Sequence, residues 1–393
     1  MKSTRFFGII AAVLALSFAA ATALGAQELK LDGYVNSGLG IKFTDEDSPA
    51  GEAKLMIYGV DSERYLGRFR LNGAYTNEAK NAGANFRIQV QGNGTYGGGT
   101  MANLPSLAFG YGWVKPIDQI TIKAGLVDDS TFRTVDVFLN DSLSEGPGVF
   151  TRITPMAGLD FGFGAYAASY QSGSNNNFLD ASIPSQIKLA DAKYTAYAAY
   201  TMDKTFRFMA GFRNENKVLG NSDYSPSELL TELRIMAVDN LTAVVVGQIQ
   251  NLVTDDDSKD LIMKFYETFA YKMDAITLGL NAAQYMSGAD GTDMCIQINP
   301  WFSYAMNEGK IVPRLDIVYF MGGEQNSVNY HRRGLRVTAA YNGDNSIVNA
   351  RPSVKINLDS RNSLEIGDSF YYDLTKDAEK MTNVFYLDFV TRF

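Results

Sequence analysis

The sequence predicts an all-β protein, a transmembrane antiparallel up-and-down β-barrel of about 18 strands. Three observations predict this fold. Apolar and polar residues alternate along most of the chain, short and long connections take turns between the alternating segments, and aromatic residues gather at segment ends. The chain has 393 residues, 46% of them hydrophobic, with 36 Gly and 10 Pro.

Composition excludes several other classes of protein. One Cys and one His cannot form a disulfide scaffold or a Cys/His zinc site. The formal net charge of −8 disfavours binding to nucleic acid. With 12% aromatic residues, the chain is not expected to be disordered. We predict no cofactor and no metal site.

The first 26 residues predict a cleaved signal peptide. Lys2 and Arg5 precede an apolar run from Phe6, and small residues follow up to Ala26. This order of basic, apolar and small residues is typical of secretory signals. The alternative, an uncleaved membrane anchor over Phe6–Leu24, is long enough to consider. We therefore expect export, with residues 27–393 forming one barrel domain.

The alternation after residue 27 defines the strands. The first has apolar or small residues at every second position from Leu29 to Phe43, and a later one alternates Phe206, Phe208 and Phe212 with Arg207 and Arg213. A soluble β-sandwich has the same period. The membrane is favoured by the Arg, Lys, Gln and Gly on the polar face, by the terminal aromatics and by the connection lengths.

Eight short joints lie between nine longer polar loops. The short joints are 77–83, 115–118, 155–158, 202–204, 238–240, 272–274, 307–309 and 359–362. This order predicts 18 strands with both ends at the short-turn rim. Two readings keep a count of 16 open: Lys54–Thr76 is taken as one strand with a break near Asp61, and Leu335–Tyr341 is placed inside a loop.

The segment 105–170 resembles the central block of the general bacterial porins. It reads Pro-Ser-Leu-Ala-Phe-Gly-Tyr-Gly-Trp-Val-Lys-Pro, then Ile120 to Leu126, then a loop, then Thr151 to the Gly/Phe-rich strand ending at Tyr166. The resemblance implies that residues 127–148, after the fifth strand, fold into the barrel as a constriction loop. It also implies a homotrimer. The family usually has 16 strands, from which a count of 18 departs.

The end of the chain resembles the assembly signal of outer-membrane barrels. The last strand alternates Phe385, Leu387 and Phe389 and ends on Phe393. This resemblance implies recognition by the barrel assembly machinery and insertion into outer-membrane lipid.

Charged residues predict the lining of a pore. The acidic side of the constriction is expected at Asp128, Asp129, Asp136, Asp141 and Glu145. A basic ladder on the opposite wall is expected at Lys30, Arg68, Arg70, Arg87, Lys123 and Arg152. Such charges orient dipolar solutes and bias ion selectivity. The alternative is that they only solvate a wide lumen or pair with each other, and the sign of selectivity stays open.

These features predict an outer-membrane porin that passes small hydrophilic solutes and ions by passive diffusion. One alternative is a substrate-selective channel, for example for sugars, with Tyr34, Tyr266 and Tyr386 as scattered aromatic contacts. Another is an adhesin or structural barrel that acts through its external loops. No residues stand out as catalytic, so an enzyme is not expected.

Overall fold

The computed structural model describes residues 28–44, 54–57, 67–91, 106–133, 142–166, 192–214, 227–252, 260–288, 294–322, 345–375 and 381–393. The predicted signal peptide and the segment Leu335–Tyr341 lie outside these ranges. Within the described ranges, no helix has the length and apolar character needed to cross a bilayer.

Nineteen strand segments form one antiparallel sheet. Their alternating side chains explain why they adopt strands, since each segment meets two different environments. The segments are β1 Glu28–Thr44, β2 Lys54–Ile57, β3 Gly67–Thr76, β4 Ala82–Gln91, β5 Ser106–Ile117, β6 Ile120–Arg133, β7 Ser142–Met156, β8 Leu159–Tyr166, β9 Lys193–Met202, β10 Phe206–Asn214, β11 Ser227–Ile235, β12 Leu241–Gln250, β13 Ile262–Met273, β14 Ile276–Ser287, β15 Cys295–Tyr304, β16 Ile311–Gly322, β17 Asn345–Asn357, β18 Asn362–Asp373 and β19 Met381–Arg392.

The sheet closes into a barrel through β1. One edge of β1 pairs with β19, and its other edge pairs with β3 and then with β2. Because β2 and β3 follow each other along the same edge, they form one strand of the wall, and the nineteen segments make 18 wall strands. The predicted count of 18 is confirmed. Closure leaves no sheet edge with unpaired backbone groups.

All eight predicted short joints lie at hairpin turns along one rim, the short-turn rim. Several of these turns use residues with positive φ, namely Lys80, Lys204, Asn240, Asp274, Asn307 and Glu308. Asn and Asp tolerate this backbone conformation better than most residues do. The start of β1 and the end of β19 lie at the same rim, and the longer connections lie at the opposite, long-loop rim.

The prediction that residues 127–148 form a loop needs correction. β6 continues to Arg133 and β7 begins at Ser142, and Val127↔Gly146 and Asp128↔Glu145 are paired in register. Most of the segment is therefore the end of a β-hairpin. The sequence suggested a loop because the segment is polar and contains Gly. Its apolar and polar residues also do not alternate as they do in a strand that has lipid on one side and water on the other.

Candidate functional site

The two faces of the barrel wall differ sharply in chemistry. The outward positions carry exposed apolar side chains, among them Phe208, Leu233, Leu278, Ile298, Phe302, Ile317, Phe385 and Phe389. The inward positions of the same strands carry charged and amide side chains, among them Arg213, Glu228, Gln248, Asn281, Asn299, Asp316, Asn349 and Arg351. An apolar outside and a polar inside are what a bilayer and an aqueous interior require.

Arg70 and Arg87 of the predicted basic ladder lie on neighbouring strands of the inner face. The Arg70 guanidinium donates to Gln89 at 3.1 Å and lies 5.5 Å from the centre of the Tyr34 ring. Arg87 donates to Asn72 at 2.8 Å and lies over the Phe109 ring at 4.6 Å. Amide acceptors and aromatic faces hold both guanidinium groups against the wall.

Lys123 and Arg152 continue this row on β6 and β7. The Lys123 ammonium pairs with Asp129 at 2.6 Å and lies near the rings of Tyr111 and Phe150. Arg152 makes a two-pronged contact with Asp160, at 3.0 Å through Nε and 2.6 Å through Nη2. Each cation therefore has a carboxylate partner on the inner face.

The other two predicted ladder residues are Lys30 and Arg68. Lys30 is exposed near the start of β1, at the short-turn rim, where it pairs with Glu28 at 2.8 Å. Arg68 is the register partner of Asn36 on β1 and Gln91 on β4. Lys30 thus stands apart from the inner row.

The predicted acidic set is divided between the hairpin and the segment beyond it. Asp128 and Asp129 are on β6 and Glu145 is on β7, where it is the register partner of Asp128. Asp136 and Asp141 lie outside the described residues. Of these acids, Asp129 is buried and contacts the basic row through Lys123.

The end of the β6–β7 hairpin lies inside the barrel. Leu126 and Val127 are consecutive, so their side chains point to opposite faces of β6, yet each is only 1% exposed. On the lipid-facing part of β7, Val149 is 48% exposed. Burial on both faces means that the hairpin end has left the wall, with Leu143 also 1% exposed.

The hairpin end packs against strands that are not its neighbours in the sheet. Val127 and Leu143 belong to one apolar cluster with Tyr197, Met209 and Leu230 of β9, β10 and β11. β7 also approaches β10, although β8 and β9 lie between them in the wall. These contacts require the hairpin to cross the inner face.

Two glycines permit the change of direction. Gly125 on β6 has φ +127° and Gly146 on β7 has φ +134°, a region that L side chains rarely adopt. A Cβ at Gly125 would also lie 2.6 Å from the carbonyl oxygen of Gly110. The bend therefore depends on glycine at this position.

The basic lining extends further around the barrel than the sequence analysis predicted. Arg207, Arg213, Arg234 and Arg314 also lie on the inner face, and each contacts an acidic residue. The alternation of Arg207 and Arg213 with Phe was visible in the sequence. That alternation was enough to place both arginine side chains on the inner face. It was not enough to identify their acidic partners, because the register of two strands joined by a long loop cannot be read from the sequence.

One buried network joins β10, β11 and β12. Arg213 pairs with Glu228, and both side chains are buried. The other carboxylate oxygen of Glu228 accepts hydrogen bonds from Gln248, at 2.9 Å, and from Gln250. The two amides and the guanidinium together satisfy the buried carboxylate.

A second charged cluster lies on β15 and β16. Arg314 donates to both oxygens of Asp316, at 2.6 and 2.8 Å, and its guanidinium lies 3.9 Å from the centre of the Trp301 ring. This is a close cation–aromatic stack on the inner face. The sequence analysis missed it, because neither residue stands in a motif.

The three tyrosines considered as sugar contacts do not form a continuous file. Tyr34 lies beside Arg70 on β3, Tyr266 is in an apolar cluster with Val246 and Ala283, and Tyr386 donates to Glu365 at 3.1 Å. An open pocket of about 710 Å³ lies instead near the short-turn rim. Its lining includes Arg152, Asp160, Thr201 and Arg207.

Within the described residues, no group of His, Cys, Asp and Glu could hold a metal ion.

Comparison with known proteins identifies the fold. No protein-family model and no curated protein sequence matches the chain. Among solved structures, a BenF-like porin from Pseudomonas fluorescens Pf-5 has a TM-score of 0.59 and 12% identity, covering 94% of this chain and 100% of that one.

Two Pseudomonas aeruginosa structures are similar to a comparable degree. OpdK with vanillate has a TM-score of 0.58 and 12% identity, covering 93% of this chain and 98% of that one. The outer membrane protein OprD has a TM-score of 0.56 and 12% identity, with 93% of each chain covered. The fold is thus a porin-like β-barrel, as predicted.

Proposed function

We propose that this protein is an outer-membrane porin through which small hydrophilic solutes and ions diffuse passively. The observation that carries the proposal is the closed 18-strand wall, which is apolar outside and charged inside. The apolar outer face suits lipid, and the charged inner face requires a hydrated interior. We propose no catalytic activity. The named neighbours are outer-membrane channels of the same fold.

The β6–β7 hairpin end is proposed to narrow this channel. Its support is the burial of Leu126 and Val127 on both faces of β6 and the packing of Leu143 across the inner face. Asp129 brings a carboxylate to the basic row at Lys123. A transverse field between an acidic hairpin and basic wall strands would orient dipolar solutes, as proposed from the sequence.

The proposal also covers how the protein is exported and assembled. The N-terminal 26 residues direct export and are removed, and the barrel assembly machinery recognises the last strand. Support for the second step comes from β19, whose pairing with β1 closes the barrel. The backbone of Phe393 exchanges hydrogen bonds with Gly33 at 3.0 and 3.1 Å, and its ring stacks on Phe69.

Single-channel recording tests the channel proposal. The mature chain is refolded and placed in a planar bilayer under a salt gradient. Large ohmic steps are expected, and the reversal potential reports ion selectivity. Replacing Arg70 and Arg87 by Gln should move the reversal potential toward cations, while Lys272→Gln at the exposed, short-turn end of β13 serves as the control. A folded barrel that gives no steps contradicts the proposal and leaves the external loops, as in an adhesin, as the alternative.

A second candidate is a substrate-selective channel. The observation that favours it is the pairing of cations with aromatic rings on the inner face, with Arg314 over Trp301 and Arg87 over Phe109. Such pairs offer a solute both a charge and a flat apolar surface. OpdK, which shares the fold, has been solved with vanillate.

Channel block distinguishes the two candidates. Vanillate and a neutral sugar are added separately during recording, and the current noise is measured as a function of concentration. Saturable block by one of them supports selectivity, and Trp301→Leu should weaken block by vanillate. If the current noise rises in proportion to the concentration of each solute and does not saturate, the result supports passive diffusion.

A further inference from the structure

Strand β5 reverses the chemistry of the rest of the wall. Its inward positions carry Phe109, Tyr111 and Trp113, whereas the outward positions between them are Gly110 and Gly112. The register fixes this orientation, because the partners of the three aromatic residues on β4 and β6 are residues of the inner face. Contact with lipid outside and water inside does not call for large rings on the inner side and glycine on the outer side. The rings therefore point to a role inside the channel.

The three rings form one column along the inner face of β5. They occupy alternate positions of a single strand, so the Cα atoms of Phe109 and Trp113 are about 13 Å apart at roughly 3.3 Å per residue. The ring centres of Phe109 and Tyr111 are 5.8 Å apart. The Trp113 ring lies over Gly83, where a Cβ would be 2.6 Å from it. We call Phe109, Tyr111 and Trp113 the aromatic column.

Hydrogen-bond donors stand on both sides of the aromatic column. On β4, Asn85 is the register partner of Tyr111 and donates to its hydroxyl through Nδ2 at 3.0 Å. Arg87 is the register partner of Phe109, and its guanidinium lies 4.6 Å from the centre of that ring. On β6, the Lys123 ammonium lies 5.3 Å from the centre of the Tyr111 ring. A strip of apolar rings is thus edged by N–H groups.

The aromatic column passes the end of the β6–β7 hairpin. Tyr111 packs against the apolar cluster that contains Val127 and Leu143 of the hairpin. Phe109 lies one step closer to the long-loop rim, and Trp113 lies one step closer to the short-turn rim. The column therefore has one ring on each side of the narrowed part of the channel and one ring beside it.

The narrowed part of the channel is most open on the side of β3–β5. The hairpin end crosses toward β9–β11, where it packs against Met209 and Leu230. The described inward side chains of β3 to β5 are half-buried, whereas inward residues across the barrel, such as Asn281 and Asn299, are buried. Solutes therefore have access to the aromatic column and to the donors beside it.

We propose that the aromatic column binds linear chains of neutral sugar rings. This inference rests on the proposed channel function and names a solute class for it. A pyranose ring has an apolar face of C–H groups and a rim of hydroxyl groups. The face can stack on the large apolar face of an aromatic side chain, while the hydroxyl groups reach the donors beside it. Three rings in a row offer the same contact to successive sugar units.

The surroundings of the column favour a neutral solute over an anion. Lys123 is already paired with Asp129 at 2.6 Å. Arg87 donates to Asn72, which in turn donates to the Asp32 carboxylate. Carboxylates thus accompany the cations on both sides of the column, and an anion would have to compete with them. Hydroxyl groups need only share the remaining N–H donors, and they bring no charge that must be desolvated.

Tryptophan fluorescence tests binding at the column without any need for conduction. The chain has two Trp residues, so a Trp301→Phe variant reports on Trp113 alone. Maltohexaose, a linear neutral glucose chain, is titrated against the refolded variant in a sugar-free detergent. A saturable change in emission is expected. The matched control is Trp113→Phe, which leaves Trp301 as the reporter and should show no saturable change.

Two substitutions in the Trp301→Phe background separate stacking from bulk. Phe109→Leu keeps an apolar side chain but removes the flat ring, so it should raise the dissociation constant at least several-fold. Phe109→Tyr keeps the ring and should leave the dissociation constant near that of the background. Slow, heat-modifiable gel migration confirms that each variant is a folded barrel. Equal dissociation constants for the Leu and Tyr variants, or no saturable change in the background itself, overturn the proposal.

Channel block gives a second measurement, in a planar bilayer. Maltohexaose should close the wild-type channel transiently and saturably, and Phe109→Leu/Trp113→Leu should weaken this block at least ten-fold. Phe163→Leu/Phe208→Leu, which alters two exposed rings on the outer face, should be blocked like wild type. Block by vanillate without block by maltohexaose overturns the sugar assignment. A barrel that binds maltohexaose in the fluorescence titration but gives no conductance steps keeps the sugar site and refutes the channel function instead.

Discussion

Removing the apolar anchor of the β6–β7 hairpin end should widen the channel. The anchor is Leu143, packed with Val127 against Met209 and Leu230. In the Leu143→Ala variant the buried isobutyl group and its contacts are lost. Leu→Ala changes at buried sites cost about 2–5 kcal/mol.

This energetic cost gives the expected change in the ratio of docked to undocked hairpin. At about 1.4 kcal/mol per factor of ten, the docked-to-undocked ratio of the hairpin falls by roughly thirty-fold to a few thousand-fold. Burial of one Leu side chain contributes about 1.5–3 kcal/mol to docking. Adding Val127→Ala removes a second anchor, so the double variant should spend a measurable fraction of time undocked.

Single-channel recording of the refolded double variant detects the undocked state. We expect a higher mean conductance, or transitions to a new level above that of wild type. Val149→Ala is the matched control, since it removes methyl groups from the same strand at a lipid-facing, 48% exposed position. If the folded Val127→Ala/Leu143→Ala barrel conducts like wild type and like the control, the hairpin end does not narrow the channel.

Three further changes test the wall. Arg213→Leu should lower the free energy of unfolding by about 3–5 kcal/mol, because it leaves the buried carboxylate of Glu228 without its cation. Adding Glu228→Leu should restore much of this loss. Urea unfolding in lipid vesicles measures the free energy of unfolding of both variants. The pKa of Asp359 is lowered because the Asn362 side chain and two backbone N–H groups donate to it. Its contribution to stability is therefore present above the unfolded carboxyl pKa and is lost as pH falls through the lowered folded pKa, so the melting-temperature difference between wild type and Asp359→Ala should vanish in acid. Gly125→Val should sharply reduce the refolded yield, since the bend at φ +127° excludes a branched side chain; normal yield and conductance would contradict the role given to the bend.

The barrel wall was predictable because most strands meet lipid on one side and a polar interior on the other. On β10, outward Phe208 and Phe212 alternate with inward Arg207 and Arg213, and the structure places all four as the period demands. The turns were predictable for a related reason. Short joints such as 272–274 must reverse the chain at a rim, and Asp274 with φ +48° is a residue type that suits this.

The hairpin end was not predictable from the same signal. Alternation marks a strand only where its two faces differ, whereas Leu126 and Val127 are both buried. The consecutive acids Asp128 and Asp129 then suggested a solvated loop. In the structure Asp129 instead contacts Lys123, a partner six residues earlier that the strand's bend brings within 2.6 Å.

Residues that break the alternation show where one face of the wall is not uniformly apolar. Glu267 and Asp368 interrupt apolar faces that are otherwise uniform, and a period-based reading averages them away. The closed barrel removes that ambiguity, because register fixes which face each side chain occupies. An outward carboxylate needs a partner that lipid cannot provide, and each has acquired one on the neighbouring strand.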